Sequence, residues 1–159
     1  MKGSLIGVFV GLFALLPNPS RQTTLTEFAY EQTISVYDGT ANSMSIASGR
    51  ISYVLGLTGP CFPVDTACSA SLVATHLAAR SLQTVECEQG CVVAGGILED
   101  SIQQAFATAG MLSPRGRCHA FDARADGYSR GEGSVGFICT PSLNNAQTSM
   151  FTTLEACAI

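Results

Sequence analysis

The residues best placed to carry out chemistry lie in one short stretch around a cysteine. A short apolar run leads into Asp65, Thr66 and Ala67, and Cys68 follows directly. Residues 69–82 contain no Gly or Pro and are mostly small or apolar, which predicts a helix. A cysteine at the amino end of a helix lies at the positive end of the helix dipole, which favours the nucleophilic thiolate. The pattern therefore predicts a site of covalent catalysis at Cys68.

Short polar side chains flank this cysteine on both sides. We expect Asp65 and Thr66 to hold the turn that presents Cys68, because such side chains form hydrogen bonds with nearby backbone groups. Ser69 and Ser71 lie in the first turn of the predicted helix, where backbone N–H groups lack partners within the helix. The two serines are therefore predicted to cap the helix and not to take part in the reaction.

The alternative for any single cysteine is a structural role, because free cysteines are among the most frequently buried residues. The chain has seven cysteines, an odd number, which argues for free thiols in a reducing compartment. We therefore expect a cytoplasmic protein, although targeting to an organelle stays open. With a net charge of −4 and no cluster of Lys or Arg, the chain has no basic face for nucleic acid.

The block around Cys68 resembles a known active site. Val-Asp-Thr-Ala-Cys-Ser-Ala-Ser-Leu, residues 64–72, is similar to the nucleophile block of β-ketoacyl synthases, in particular the ketosynthase domains of modular type I polyketide synthases. The resemblance is strongest over residues 46–141. Four more regions agree with that family in order and spacing: Gly49-Arg-Ile-Ser-Tyr-Val-Leu-Gly-Leu-Thr-Gly-Pro60, Ala94-Gly-Gly96, Met111-Leu-Ser-Pro-Arg-Gly-Arg-Cys118 with Ala120-Phe-Asp122, and Asp126-Gly-Tyr-Ser-Arg-Gly-Glu-Gly133.

The resemblance implies a fold and a reaction. The fold is α/β and thiolase-like, and residues 1–159 are expected to form an incomplete version of it, part of the N-terminal half with layered α/β/α architecture. Cys68 is implied to take an acyl chain as a thioester, with its own backbone N–H helping to hold the oxyanion. A malonyl extender then loses CO₂ and condenses with that acyl group in a Claisen reaction.

The same resemblance implies the partners. The acyl and malonyl groups arrive on the phosphopantetheine of an acyl carrier protein, and no cofactor or metal is expected to be bound. The strand that leads to the nucleophile lies at a two-fold interface in the family, so residues 61–64 are expected to pair with a second copy. The other expected partner is the remainder of a ketosynthase. No membrane span is expected, because the longest apolar run is too short.

The histidines limit the enzymatic prediction. The family uses two catalytic histidines, in blocks of the form E-A-H-G-T-G-T and K-S-N-I-G-H, and neither block occurs here. If Cys68 and His76 lie on one helix, His76 is ~12 Å further along the axis and rotated by ~80°, which is outside hydrogen-bond reach of Cys68. Nothing places His119 near Cys68. We therefore expect a partial domain that is inactive alone; the alternative is a ketosynthase-like remnant or accessory subunit with a packing role.

Strands and helices alternate along the chain, which predicts α/β layers. The β-branched run at residues 6–10, bounded by glycines, predicts a buried parallel strand. The alternative there is a signal peptide, because Lys2 precedes an apolar stretch. The other predicted elements are helices at residues 41–55 and 99–109, and strands at residues 62–64, 91–96 and 134–139.

The loop before the last strand contains a charged pair and a misleading motif. Arg130 and Glu132 are close in sequence, and we expect them to brace the loop through an ion pair and not to contact substrate. Gly131-Glu-Gly-Ser-Val-Gly136 satisfies the spacing of a dinucleotide fingerprint. That fingerprint must follow a strand and open a helix, whereas this one precedes a predicted strand. Dinucleotide binding is therefore rejected.

Overall fold

A computed structural model describes residues 3–13, 40, 43–141 and 154 of the chain. These residues form four strands: β1 (Ile6–Leu12), β2 (Cys61–Val64), β3 (Gln89–Gly96) and β4 (Gly133–Cys139). They also form three α-helices: α1 (Met44–Leu55), α2 (Ala70–Gln83) and α3 (Asp100–Thr108). The predicted α/β alternation is confirmed, with element ends that differ from the prediction by a few residues. The part of the predicted first helix at residues 41 and 42 lies outside the described residues.

The strands form one sheet in the order β2-β1-β3-β4, and β1 pairs in parallel with both β2 and β3. The predicted strand at residues 6–10 is confirmed and extends to Leu12. Val8, Phe9 and Val10 are at most 3% exposed although successive side chains point to opposite faces, so both faces of β1 are covered. A parallel strand inside a sheet requires such cover, which explains the continuous apolar run.

Helix α2 packs on the sheet through small residues. Ala70, Ala74 and Ala78, spaced by one helical turn, are almost completely buried. Ala74 and Ala78 form a core cluster with Phe9 and Val92 of the two central strands. Because alanine side chains are short, the backbone of α2 lies close to the backbone of the sheet.

Strand β2 is the edge of the sheet next to β1. Phe62 is paired in register with Phe9, and the two rings stack with centroids 6.0 Å apart. Pro63 has no N–H to donate, which an edge strand tolerates on its open side. The carboxyl end of β2 at Val64 leads into the segment that carries Cys68.

The described residues fall into two compact units, one of residues up to 95 together with residues from 134 onward, and one of residues 96–133. In the second unit, the Glu99 carboxylate accepts hydrogen bonds from the backbone N–H groups of Ser101 and Ile102 and so caps α3. The long loop after α3 is closed by a bridge between Leu112 and Tyr128.

Charged side chains and one glycine hold this loop together. Ser113 Oγ donates to the Asp126 carboxylate at 2.7 Å, and Arg115 forms an ion pair with the same carboxylate at 2.9 Å. Gly127 has a φ of 130°, and a Cβ there would lie 2.5 Å from the carbonyl carbon of Leu112. Only glycine fits this position. No helix among the described residues is both long and apolar enough to span a bilayer.

Candidate active site

Cys68 lies in a 3₁₀ turn, Ala67–Ser69, between the carboxyl end of β2 and the amino end of α2. Its side chain is exposed. The sequence predicted that Cys68 stands at the head of the helix, but α2 begins two residues later, at Ala70. The reason is local, because Ala67 has a φ of 54°, in the left-handed region, and Ser69 has a φ of −95° with a ψ of 1°, so regular α-helical backbone begins only after Ser69.

The left-handed residue has its own hydrogen bond. The Asp65 carboxylate accepts the backbone N–H of Ala67 at a distance of 2.9 Å. A left-handed conformation costs an L-residue other than glycine ~1–2 kcal/mol, and the carboxylate offsets part of this cost. Sequence reasoning missed Ala67, because an alanine carries no signal for a positive φ.

The hydroxyl of Ser69 points back into the turn. Ser69 Oγ donates to the carbonyl oxygen of Thr66 at 2.8 Å and lies 2.9 Å from Thr66 Oγ1. Ser69 occupies the N-cap position of α2, yet its side chain makes no capping hydrogen bond. Ser69 therefore does not cap α2 as predicted, and its hydroxyl instead donates within the turn to Thr66. Residues 65, 66, 67 and 69 thus close the turn around Cys68.

This arrangement suits attack on an activated acyl group. The thiol is accessible, and it stands where the first N–H groups of α2 provide partial positive charge. Backbone N–H donors at this point can hold the oxyanion that forms during attack. The described residues contain no group of three or more His, Cys, Asp or Glu side chains that could hold a metal ion.

Three other thiols lie in environments that disfavour the thiolate. Burial raises the pKa of Cys87, Cys91 and Cys139 above the ordinary value for a thiol. The pKa of Cys139 is raised further, because thiolates at Cys87 and Cys91 would repel its own charge. These thiols are therefore disfavoured as nucleophiles. Cys118 is exposed like Cys68, and its Sγ accepts the backbone N–H of Ser129 at 3.1 Å.

The two histidines belong to different compact units. His76 lies in α2 as predicted, ~9 Å along the helix axis from Ala70. His119 belongs to the unit of residues 96–133, and its Nδ1 is buried without a hydrogen-bond partner.

The predicted ion pair between Arg130 and Glu132 does not form. The guanidinium of Arg130 lies over the ring of Phe106 in α3, 5.0 Å from the ring centroid, and one nitrogen reaches Gln103 Oε1 at 3.5 Å. The Glu132 carboxylate instead accepts the backbone N–H of Leu98 at 3.2 Å. Each side chain thus holds the loop to a different neighbouring segment of the same unit, and these two contacts replace the expected pair.

Comparison with known proteins gives a consistent picture. The family described as the β-ketoacyl synthase N-terminal domain matches residues 1–142. One component of the phenolphthiocerol/phthiocerol polyketide synthase of Mycobacterium tuberculosis is 50% identical over 121 residues, covering 74% of this chain and 8% of that protein. Another component of the same synthase is 43% identical over 138 residues, covering 85% of this chain and 6% of that protein.

Solved structures agree with the fold. The ketosynthase from module 6 of the bacillaene synthase from Bacillus subtilis 168 has a TM-score of 0.68 at 34% identity, covering 86% of this chain and 21% of that one. An oxazolomycin ketosynthase domain from Streptomyces albus JA3453 has a TM-score of 0.63 at 29% identity, covering 84% of this chain and 22% of that one. The predicted thiolase-like α/β fold is thereby confirmed. The chain spans about a fifth of each ketosynthase.

Proposed function

Because this chain belongs to the family described as the β-ketoacyl synthase N-terminal domain, we propose that it is the acyl-accepting part of a polyketide ketosynthase with Cys68 as the nucleophile. The observation that carries the proposal is the exposed thiol of Cys68, held in a hydrogen-bonded turn between a parallel strand and the amino end of a helix. Asp65, Thr66 and Ser69 support that turn, and none of them exchanges protons with substrate.

The first half-reaction is transfer of an acyl group. The Cys68 thiolate attacks the carbonyl carbon of an acyl thioester, forming a carbon–sulfur bond and a tetrahedral oxyanion. The backbone N–H of Cys68 holds that oxyanion. The intermediate then collapses, the bond to the carrier sulfur breaks, and the carrier leaves as a thiolate that takes up a proton. The acyl group remains on Cys68 as a thioester.

The second half-reaction forms a carbon–carbon bond. A malonyl thioester loses CO₂, and the resulting carbanion attacks the carbonyl carbon of the acyl-Cys68. The bond to the Cys68 sulfur breaks, and the β-ketoacyl product stays on the carrier. In the family this step uses the two histidine blocks, which do not occur in residues 1–159. We therefore propose that other residues supply those groups, and that residues 1–159 alone give no condensed product.

The proposed partners follow from this chemistry. An acyl carrier protein delivers both thioesters on its phosphopantetheine arm, and a reducing compartment such as the cytoplasm keeps Cys68 free. Strand β2 is a sheet edge, and Phe62 on it is 47% exposed. We propose that residues 61–64 pair with a second copy of the chain, which an exposed edge strand with an apolar side chain favours.

The experiment is labelling of the thiols with an acyl-N-acetylcysteamine thioester, followed by peptide mass spectrometry. The proposal expects one acyl group per chain, carried on Cys68 and lost in Cys68→Ala. The matched control is Cys118→Ala, which removes another exposed thiol and should leave the stoichiometry unchanged. Acylation spread over several cysteines, or none at Cys68, would support the packing role of a ketosynthase-like remnant instead.

A further inference from the structure

Gly11 lies where the two ends of the Cys68 turn meet. In the parallel sheet Gly11 is the register partner of Val64, the last residue of β2 before the turn. On its α2 side, a Cβ at Gly11 would lie 2.7 Å from the carbonyl carbon and oxygen of Ala70 and 2.8 Å from the backbone nitrogen of Ser71. Ala70 is the first residue of α2 after the turn. The turn therefore leaves β2 and enters α2 beside the same glycine.

The atoms that a side chain would meet at this point belong to the backbone. A backbone group has no rotamer to change, so any Cβ at Gly11 must displace the start of α2 or the strand itself. The strand is the less mobile of the two, because Gly11 is paired with Val64 on one side and with Ala94 on the other. The displacement therefore falls on residues 70 and 71, and Cys68 moves with them.

The other end of α2 provides a contrast. Gly90 of β3 lies under Ala78, and a Cβ there would lie 3.1 Å from the Ala78 side chain. That contact is with a methyl group, and it lies two helical turns beyond Ala70. A clash at Gly90 is therefore relieved by shortening Ala78, whereas a clash at Gly11 is not relieved by shortening Ala70.

We infer that Gly11 is a positioning residue for Cys68, which lets the amino end of α2 rest against the carboxyl end of β1 and so sets where the thiol stands. This inference rests on the proposed role of Cys68 as the acyl acceptor. Gly11 does not touch the reacting atoms and acts through residues 70 and 71.

The test compares Gly11→Ala with Gly90→Ala in the full chain, using butyryl-N-acetylcysteamine for acylation and iodoacetamide for alkylation of Cys68. Gly11→Ala is expected to lower the maximal acylation rate ~10- to 100-fold, because small misplacements of reacting groups have effects of this size. The thioester concentration at half-maximal rate should stay within about twofold, and the alkylation rate should change at least about threefold. Gly90→Ala should leave both rates within about twofold of the wild-type rates.

Second-site changes separate positioning from general loss of stability. Ala78→Gly should raise the thermal midpoint of Gly90→Ala, whereas Ala70→Gly should not restore the acylation rate of Gly11→Ala. If Gly11→Ala lacks a cooperative thermal transition, it is not folded and cannot be compared. The pair Ala70→Ser and Ala78→Ser then tests whether the amino end of α2 positions Cys68. Ala70→Ser should slow acylation and alter alkylation at least about threefold, and Ala78→Ser should do neither.

Two results overturn the inference: a folded Gly11→Ala whose rates stay within about twofold of wild type, or equal effects of the two serine variants. Failure of the proposed function looks different. In that case wild-type Cys68 reacts with iodoacetamide but never with the thioester. The alkylation rates of the same variants then still decide whether Gly11 positions Cys68.

Discussion

The carboxylate of Asp65 accepts the backbone N–H of Ala67 at 2.9 Å, and Ala67 is held at a φ of 54° immediately before Cys68. The left-handed residue turns the chain sharply between β2 and α2. The thiol therefore stands in a separate 3₁₀ turn and not in the α-helix. The hydrogen bond is local, which makes the turn testable by single substitutions.

The first prediction concerns the acceptor in this hydrogen bond. Asp65→Ala removes it and leaves the left-handed turn less well held, so we expect acylation of Cys68 to slow ~10-fold or more. The free energy of unfolding should fall by about 1 kcal/mol, the usual contribution of one hydrogen bond. Asp65→Asn keeps a carbonyl acceptor and is the matched control. Acylation rates are measured by timed quenching and mass spectrometry. Equal rates in the wild type, Asp65→Ala and Asp65→Asn would contradict the prediction.

The second prediction concerns the conformation of Ala67. Ala67→Gly removes the steric cost of the left-handed region, so the free energy of unfolding should rise by up to about 1 kcal/mol. Ala67→Val places a β-branched side chain in that region and should lower it by ~2 kcal/mol. Urea denaturation measures both changes. A valine variant as stable as the glycine variant would show that residue 67 is not left-handed in solution.

The third prediction concerns the hydroxyl that closes the turn. Ser69→Ala removes the hydrogen bond to the Thr66 carbonyl oxygen and should slow acylation of Cys68 by about fivefold. Ser71→Ala is the matched control, because Ser71 lies just after Ala70 in the first turn of α2 and is also exposed. Stopped-flow or quenched acylation assays measure both. An effect of Ser71→Ala equal to that of Ser69→Ala would mean that the serines act on helix stability in general.

The fourth prediction ranks the thiols by reactivity. At neutral pH, iodoacetamide should modify the exposed Cys68 and Cys118 at least ~10 times faster than Cys87, Cys91 and Cys139. Burial raises the pKa of the last three, so little thiolate is present on them. Timed alkylation followed by peptide mass spectrometry gives the order. Urea should abolish the difference, and a fast Cys87 in the folded chain would contradict the buried environment of that thiol.

The fifth prediction concerns acid. The hydrogen bond from Ser113, followed by the charge and hydrogen bond of Arg115, holds the pKa of Asp126 below its ordinary value of 3.8. Since the folded pKa is the lower one, the ionised carboxylate stabilises the loop fully above the ordinary value. That stabilisation disappears as the pH falls through the lowered value.

Hydrogen exchange at the backbone amides of Ser113 and Tyr128 reports on this loop directly, because these amides bond across it. Between about pH 5 and pH 2, the protection of these amides should fall more in the wild type than in Asp126→Asn. Asp122→Asn is the control, because Asp122 is paired with Arg124 elsewhere in the loop. An equal pH dependence in the wild type and Asp126→Asn would rule out Asp126 as the titrating group.

The order of strands and helices followed from local pattern. The continuous apolar run of β1 predicted a strand covered on both faces, and Val8 and Phe9 are fully buried. The absence of Gly and Pro after Cys68 predicted α2 to within two residues of its start. The resemblance around Cys68 singled out one candidate nucleophile among seven cysteines, which composition alone does not do.

The partners of individual side chains did not follow from local pattern. Ser69 was predicted to cap α2 and instead binds the Thr66 carbonyl oxygen, because the 3₁₀ turn places that oxygen within reach. Arg130 was predicted to pair with Glu132, but α3 brings the ring of Phe106 under its guanidinium. For Arg130, the neighbour in sequence was replaced by groups that folding brought close, whereas for Ser69 a carbonyl oxygen three residues earlier replaced the N–H groups of the helix.

The sequence by itself determined which segments are strands and helices and which cysteine is the candidate nucleophile, because periodicity, turn residues and motif spacing are properties of short stretches. Only the tertiary structure decided that Ala67 is left-handed and that Gly11 lies against Ala70. An alanine carries no local signal for a positive φ. The contact of Gly11 depends on strand register and on how closely α2 packs on the sheet, both of which are set by residues far apart in the chain.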